Sequence, residues 1–493
     1  MTTINTNIGA IAAQANMTKV NDQFNTAMTR LSTGLRINAA KDDAAGMAIG
    51  EKMTAQVMGL NQAIRNAQDG KNLVDTTEGA HVEVSSMLQR LRELAVQSSN
   101  DTNTAADRGS LAAEGKQLIA EINRVAESTT FNGMKVLDGS FTGKQLQIGA
   151  DSGQTMAINV DSAAATDIGA HKISSASTVV ADAALTDTTI AASTDITITG
   201  FAGSDKITTA AGDSARTLAE SINKKTSSTG VEATATTKAQ LSGFTKGDTV
   251  TFKIGTADGN EVSIGDVSIT DASDVRGLRD AINAVSGQTG ITAAMAKDDN
   301  SKIVLTDANG DDIMLTSVSS TTADFKVTAL KSDGTATATN VDIGFGTNKS
   351  AGVTGQVDLV STKSFSVAAS VSGSATAHFA NANEGSELSS VAEIDLSTAE
   401  GASAAIGVID VALSKISQSR SELGAVSNRL DSTISNLTNI STSVQAAKSQ
   451  VMDADFAAES TNLARSQILS QASTAMLAQA NSSKQNVLSL LRG

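Results

Sequence analysis

Three histidines, an acidic loop and a glycine pair are the residues of this chain whose types suggest chemistry. His81, His171 and His378 are widely separated, and none has a second His within a helical turn. His81 falls on the polar side of a helical stretch, where a solvated or capping histidine is expected. The run from Asp307 to Asp312 (DANGDD) resembles part of a calcium loop. Position 318, where the closing Glu would stand, is Val, so the run reads as an acidic hairpin turn. Gly344 and Gly346 lack the third glycine and the strand-to-helix context of a dinucleotide loop. There is no HExxH and no Walker A lysine loop. The carboxylates are scattered, with no specific pair for acid–base work. No Cys is present, which excludes disulfides, thiolate ligands and thiol redox chemistry. The expectation is no catalytic site, no metal and no cofactor.

Composition narrows the class further. The chain has 493 residues, with 37 basic against 52 acidic and a net charge of −15. That balance argues against a nucleic-acid or anionic-membrane binder. No apolar run approaches a bilayer span, so no membrane insertion is expected. The first residues, MTTINTNIGAIAAQANMTKV, lack the basic start and apolar block of a cleavable signal peptide. Pro, Trp and Tyr are absent. Without Pro, long helices meet no kink and folding meets no slow isomerisation. That would suit a chain exported unfolded, although a biased composition explains it equally well.

The elements separate into helical ends and a strand-rich middle. Ile409, Ile416, Leu423, Leu430, Leu437, Val444 and Val451 recur every seven residues. Leu413, Val426, Ile434, Ile440 and Ala447 partly fill the adjoining seam. A sustained seven-residue repeat predicts a helix lying along other helices. If continuous from 409 to 451, it would span roughly 65 Å. A further stripe, Leu469, Met476, Ala480, Val487 and Leu491, closes the chain. At the other end run Ile4, Ile8, Ile11 and Ala15, then Val20, Phe24, Met28, Leu31 and Leu35. Met53, Val57, Leu60, Ile64, Ala67 and Val74 follow, then Val84, Leu88, Leu91 and Ala95, then Leu111, Leu118, Ile122 and Val125. Each stripe covers part of a helix and needs a partner, so the two ends should pair. Gly34 and the stretch 38–46 break the first stripe, with Asp42 or Asp43 as the next N-cap.

Between the ends, residues 161–395 are rich in Thr, Ser, Ala, Gly and Asp. Asn132-Gly133 and Asp138-Gly139 signal turns, and Gln145–Ile148 with Thr155–Val160 predict a hairpin around Asp151-Ser-Gly153. Period-two alternation marks strands at Ile196/Ile198, Val250/Phe252/Ile254, Ile303–Leu305, Phe325/Val327, Val341/Ile343/Phe345 and Phe365/Val367. Residues 216–235 match 276–295 without a gap: Arg216/Arg276, Leu218/Leu278, Ile222/Ile282, Asn223/Asn283, Thr229/Thr289 and Gly230/Gly290. Each copy reads as a short amphipathic helix, a Thr-Gly turn and a strand. The Ser and Thr density would admit O-glycosylation, but solvated strands are rich in both anyway.

Several terminal motifs carry a family resemblance. LSTGLRINAAKDDAAGMAI (31–49), LQRLRELAVQ (88–97), TFNG (130–133), AQAN (478–481) and QNVLSLL (485–491) stand in the order found in bacterial flagellins. The chain resembles that family over about residues 1–160 and 400–493, and the duplicated middle resembles an insertion motif of flagellins and hook-associated proteins. Lys484 departs from it, standing where the family often has Pro, as does a final Gly493 after Arg492.

The resemblance implies a multidomain α + β architecture. An inner layer of paired, coiled-coil-like terminal helices would comprise residues 1–42 and 454–493. A helical rod with a β-hairpin would comprise 43–165 and 398–453. Outer β-rich domains would occupy 166–397, with the duplicated motif at about 196–245 and 250–315. It implies a structural filament subunit for swimming motility, not an enzyme, exported unfolded by the flagellar type III apparatus to the extracellular flagellum. Implied partners are other copies of itself in a helical homopolymer, the flagellar cap and hook-associated proteins, and an export chaperone at the C-terminal segment. Ile4, Ile8, Ile11, Val20, Phe24, Leu31, Leu469, Met476, Ala480, Val487 and Leu491 would pack between subunits. By resemblance, Arg90, Leu94 and Glu114 would be read by the host Toll-like receptor for flagellin, the pattern around 89–96 being kept except at Leu91. Val487, Leu488, Leu490 and Leu491 would form the tail read by inflammasome sensors. The rival readings are a hook–filament junction protein and a flagellin scaffold displaying an enzyme. The second needs a catalytic constellation in 161–395, where none is found.

Overall fold

A computed structural model describes residues 6–182, 195–210, 212–257, 259–297, 299–346, 348–369, 379 and 383–490. Ile4, His378 and Leu491 lie outside these, and for Val487, Leu488 and Leu490 only the helical backbone is described. In chain order come helices α1 (Ile8–Thr33), α2 (Ala44–Ser98) and α3 (Ala105–Ser128). A region of strands follows, holding the short helices α4 (Ala215–Asn223), α5 (Thr226–Thr229), α6 (Arg276–Ala284) and α7 (Ser286–Thr289). The chain ends in α8 (Ala399–Met452) and α9 (Phe456–Leu490). It divides into two compact units, one of residues 1–75, 143–159 and 424–493, the other of 76–142 and 160–423.

In the first unit α1 and α9 run antiparallel. The Asn7 amide donates to the Ala480 carbonyl at one end, and the Arg30 guanidinium meets Glu459 at the other. Gly34, at φ 72°, closes α1 because a left-handed C-cap suits a residue without Cβ. The segments joining α1 to α2 and α8 to α9 then pair with each other. The Arg36 N–H donates to the Met452 carbonyl (2.7 Å), the Ala454 N–H donates to the Gly34 carbonyl (2.9 Å), and Leu35 bridges Asp453. Asp43 caps α2 by accepting from the Gly46 N–H, while Asp42 accepts from the Asn38 and Ala39 N–H groups and stiffens the preceding loop. Along α2 and α8, Leu60, Ala63 and Leu437 form a small buried cluster with Ile64 packed on it. The hairpin of Lys144–Gln147 and Thr155–Ile158 lies across α2. There the Asn66 amide donates to the Gln147 carbonyl, and Leu146 occupies the space that a side chain at Gly70 would take.

In the second unit, α2 carries a buried row of Thr77, His81, Val84, Leu88, Leu91 and Ala95. His81 is therefore buried, contrary to the solvated position read from the sequence. The three-and-four spacing of that row places it in the packed seam of the helix, not on its polar face. α3 begins with a capping box in which Thr104 and Asp107 satisfy each other's backbone N–H groups. Ile409, Ile416 and Leu423 of α8 are buried in this unit, and Ser98 of α2 donates to the Leu396 carbonyl just before α8. The turn at Asn132-Gly133, with φ 50° and 77°, joins the two-residue strands Thr130–Phe131 and Met134–Lys135.

The middle of this unit builds two cores, and each copy of the repeat supplies a helix to one of them. Leu218 and Ile222 of α4 pack with Ile196, Ile198, Leu359 and Val367. Leu278 and Ile282 of α6 pack with Phe252, Ile303, Phe325 and Val327. The rings of Phe244 and Phe325 stack at 5.2 Å. The repeated residues do matching work. Asn223 donates to the Ala233 carbonyl and accepts from its N–H, both at 2.8 Å, and Asn283 does the same with Ala293. Gly230 and Gly290, at φ 73° and 77°, turn the chain from helix to strand. The strand Glu232–Ser242 ties the cores together, pairing antiparallel with Asp299–Asp307, Phe325–Leu330 and Gln356–Ser361.

Two expectations change here. The run from Asp307 to Asp312 is not a hairpin turn, because the strands it joins belong to different sheets: Asp299–Asp307 pairs with Glu232–Ser242, and Ile313–Ser320 with Thr249–Thr256. Asp311 and Asp312 tie the crossover down, Asp311 pairing with Arg216 and Asp312 accepting from the Gly355 N–H. Phe345 does not continue the strand Ala336–Ile343 and is exposed, since Gly344, at φ 132°, turns the chain out of the sheet.

Candidate assembly surface

An isolated pair of helices cannot bury apolar residues that point away from their shared seam. α1 has 26 residues, of which Ala27 is buried. Ile8, Ile11 and Met28 on α1, and Ile468, Leu469 and Met476 on α9, are exposed, with Ile8 and Met476 both at 65%. Val20, Phe24, Leu31 and Ala480 are half-buried along the shared seam. The residues assigned from sequence to subunit packing thus divide into a seam set and an outward set.

At one end of the pair lies a polar groove lined by Lys19, Asp22, Thr26, Arg30, Glu459 and Arg465. Arg30 stands in the last turn of α1 and Glu459 in the first turn of α9, so each charge also meets the favourable end of its own helix. Neither this groove nor the pairing of the two linkers was read from the sequence. Both depend on contacts between residues more than 400 positions apart, for which local periodicity carries no signal.

Of the α8 heptad, Ile409, Ile416, Leu423, Leu430 and Leu437 are buried, whereas Val444 and Val451 are half-buried. Arg90 reaches Glu114 at 2.8 Å and Glu93 at 2.9 Å on an exposed surface, and these partners hold its pKa above the usual arginine value. Leu94, one turn further along α2, is buried. His171 is half-buried, 3.5 Å from Ser386, and burial lowers its pKa, with Lys415 adding to the effect. Among the described residues no group of three or more His, Cys, Asp or Glu could hold a metal ion. No described helix is long and apolar enough to cross a membrane.

Comparison with known proteins supplies the family. Residues 4–142 match the bacterial flagellin N-terminal helical region, and residues 406–491 match the bacterial flagellin C-terminal helical region. Residues 195–247 and 249–309 each match the flagellin hook IN motif. The chain is 40% identical to the B-type flagellin of Pseudomonas aeruginosa over 99% of both chains. The chain belongs to the flagellin family. This flagellin is also 35% identical to the flagellin of Salmonella typhimurium and 33% identical to flagellin A of Vibrio cholerae, again over 99% of each chain. As a flagellin it is a structural subunit that polymerises into the flagellar filament, outside the cell. End-to-end agreement with filament flagellins favours that role over a hook–filament junction.

Proposed function

We propose that the two helical ends do separate jobs. Three layers follow from that reading: an inner one of residues 1–42 and 454–493, a rod of 43–165 and 398–453, and outer domains of 166–397. Rod packing from Ile409 to Val451 builds the subunit. The α1–α9 pair builds the filament, because its outward apolar residues, Ile8, Ile11, Leu469 and Met476, gain cover only from neighbouring copies. Their exposure is the observation that carries the reading. A repeating contact that does not close on itself generates a helical polymer, and ordering of the ends is then coupled to assembly.

The same exposed α9 residues are what an export chaperone would shield before secretion through the flagellar type III apparatus. The flagellar cap and hook-associated proteins would meet this surface at the filament's two ends. The chain carries out no enzymatic reaction in this reading. Arg90 and Glu114 form an exposed charged pair that a Toll-like receptor could read, whereas Leu94 is buried in the free subunit. Filament packing is their primary role and receptor contact a secondary one. The tail of Val487, Leu488, Leu490 and Leu491 would serve inflammasome sensors only in free subunits.

Seeded polymerisation tests the main claim. Full-length protein added to filament fragments should elongate them, and chains lacking residues 1–40 or 455–493 should not. Elongation by both truncated chains would end this account.

A further inference from the structure

His81 interrupts an apolar seam. It stands between Thr77 and Val84 in the buried row of α2, and its side chain is 0% exposed. Neither Nδ1 nor Nε2 makes a hydrogen bond of good geometry among the described residues, although the Thr77 carbonyl one turn earlier acts on the ring and favours its charged form. A neutral ring in that position already leaves polar atoms unpaired, and a charged ring would leave an unpaired cation. The groups that act on it come from three segments. Glu78 and the Thr77 carbonyl lie on α2, Arg420 on α8, and Asp161 on the chain beyond the hairpin. Both carboxylates are engaged elsewhere. Glu78 accepts from Arg420 at 2.9 and 2.8 Å, and Asp161 lies 4.0 Å from Lys363 with Lys415 also acting on it. On α3, Glu121 and Arg124 pair with each other at the surface. The Thr77 carbonyl, Glu78 and Asp161 favour a histidinium and Arg420 opposes one, but burial outweighs them, and both carboxylates also serve other cations.

We propose that His81 is an acid-operated release in this flagellin: a proton taken up by its ring puts an unpaired charge into the α2 seam and loosens the unit of residues 76–142 and 160–423. Burial is the largest influence on the ring and lowers its pKa. The folded unit therefore binds this proton less readily than the unfolded chain does. The sign follows: the stability due to the neutral ring is present above the ordinary histidine range. It is lost as pH falls through the lower folded value. The unit then loosens under milder acid than protonation of its carboxylates alone would require.

The test uses the full-length monomer. Far-ultraviolet circular dichroism from pH 8 to pH 3 gives the acid midpoint for wild type, His81→Leu and His171→Gln. The Leu variant should move the midpoint down by about one pH unit, and His171→Gln should move it less, because that ring is only half-buried and lies beside the Ser386 hydroxyl. Ring resonances of the wild-type histidines, followed by NMR over the same range, give the second readout. The His81 ring should titrate below the ordinary value of about 6.5 and together with the structural transition. An unchanged or raised midpoint in His81→Leu overturns the proposal. So does a His81 ring that titrates at the ordinary value while the fold stays intact. If the Leu variant does not fold, the wild-type ring titration decides alone.

Discussion

The Arg30 guanidinium donates to the Glu459 carboxylate at 2.8 Å and so ties the last turn of α1 to the first turn of α9. Glu459 is nearly buried, while Arg30 keeps part of its side chain in solvent. Removing one partner leaves the other charge short of a contact that water replaces poorly. Glu459→Ala should cost about 1–3 kcal/mol in the opening of this helix pair, measured by amide exchange along α1 and α9. The swap of Arg30→Glu with Glu459→Arg should recover less than half of that, because each charge then meets the wrong helix end. Full recovery by the swap would show that the helix termini contribute nothing.

The α8 heptad gives a graded prediction. Leu430 is 0% exposed and approaches Gly70 of α2, whereas Val451 is half-buried. Leu430→Ala should lower stability by about 2–5 kcal/mol, since it removes apolar contacts and leaves a cavity. Val451→Ala should cost about 1 kcal/mol or less, because its site is already open. Urea unfolding of the free subunit compares them, and equal losses would contradict the burial gradient. Polymerised protein should narrow the gap if neighbouring copies cover Val451.

How much of this was legible beforehand depended on distance along the chain. The period-seven row from Ile409 to Leu437 and the alternation Val250/Phe252/Ile254 each repeat one contact many times, so pattern alone exposed them. The duplicated helix–turn–strand was legible for the same reason, and its Asn223 and Asn283 kept the same bonding in both copies. The strand Gly169–Ser174 was missed because it is covered along much of its length and does not alternate cleanly. Ser350–Val353, buried throughout, gave no period of two either. Residue type alone marks His81 as solvated, and its position overrides that. Its three-and-four spacing with Thr77, Val84 and Leu88 already put it in the seam. The antiparallel contact of Leu35 with Asp453 had no local signature at all.

The repeat supports a test of independence. Asn223 fixes the Ala233 backbone beside the α4 core, and Asn283 fixes Ala293 beside the α6 core. Each Asn→Ala change removes a donor and an acceptor at once. Each should cost about 1–3 kcal/mol. The two changes share no partner, so their costs should add to within about 0.5 kcal/mol in the double variant. Chemical denaturation of the three variants measures this, and strong non-additivity would mean that the two cores respond as one.

Asp307 supplies the pH-dependent case in the outer region. Its side chain is 1% exposed, one oxygen accepts from the Asn309 N–H at 2.6 Å, and Oδ2 has no partner among the described residues. Burial, the largest influence, raises its pKa, and the nearby Asp311 raises it further. The folded chain therefore holds this proton more tightly than the unfolded chain. The stabilisation from the protonated form is complete below the unfolded value and is lost as pH rises through the folded one. At neutral pH the ionised carboxylate is a net cost. Asp307→Asn keeps an acceptor for Asn309 and removes the charge, so it should stabilise the fold by about 1–2 kcal/mol at pH 7. Below the carboxylate range it should give little gain, because the wild-type group is then neutral as well. Thermal midpoints of both proteins at pH 7 and pH 3 make the comparison. An advantage of equal size at the two pH values would place the effect in packing and not in charge.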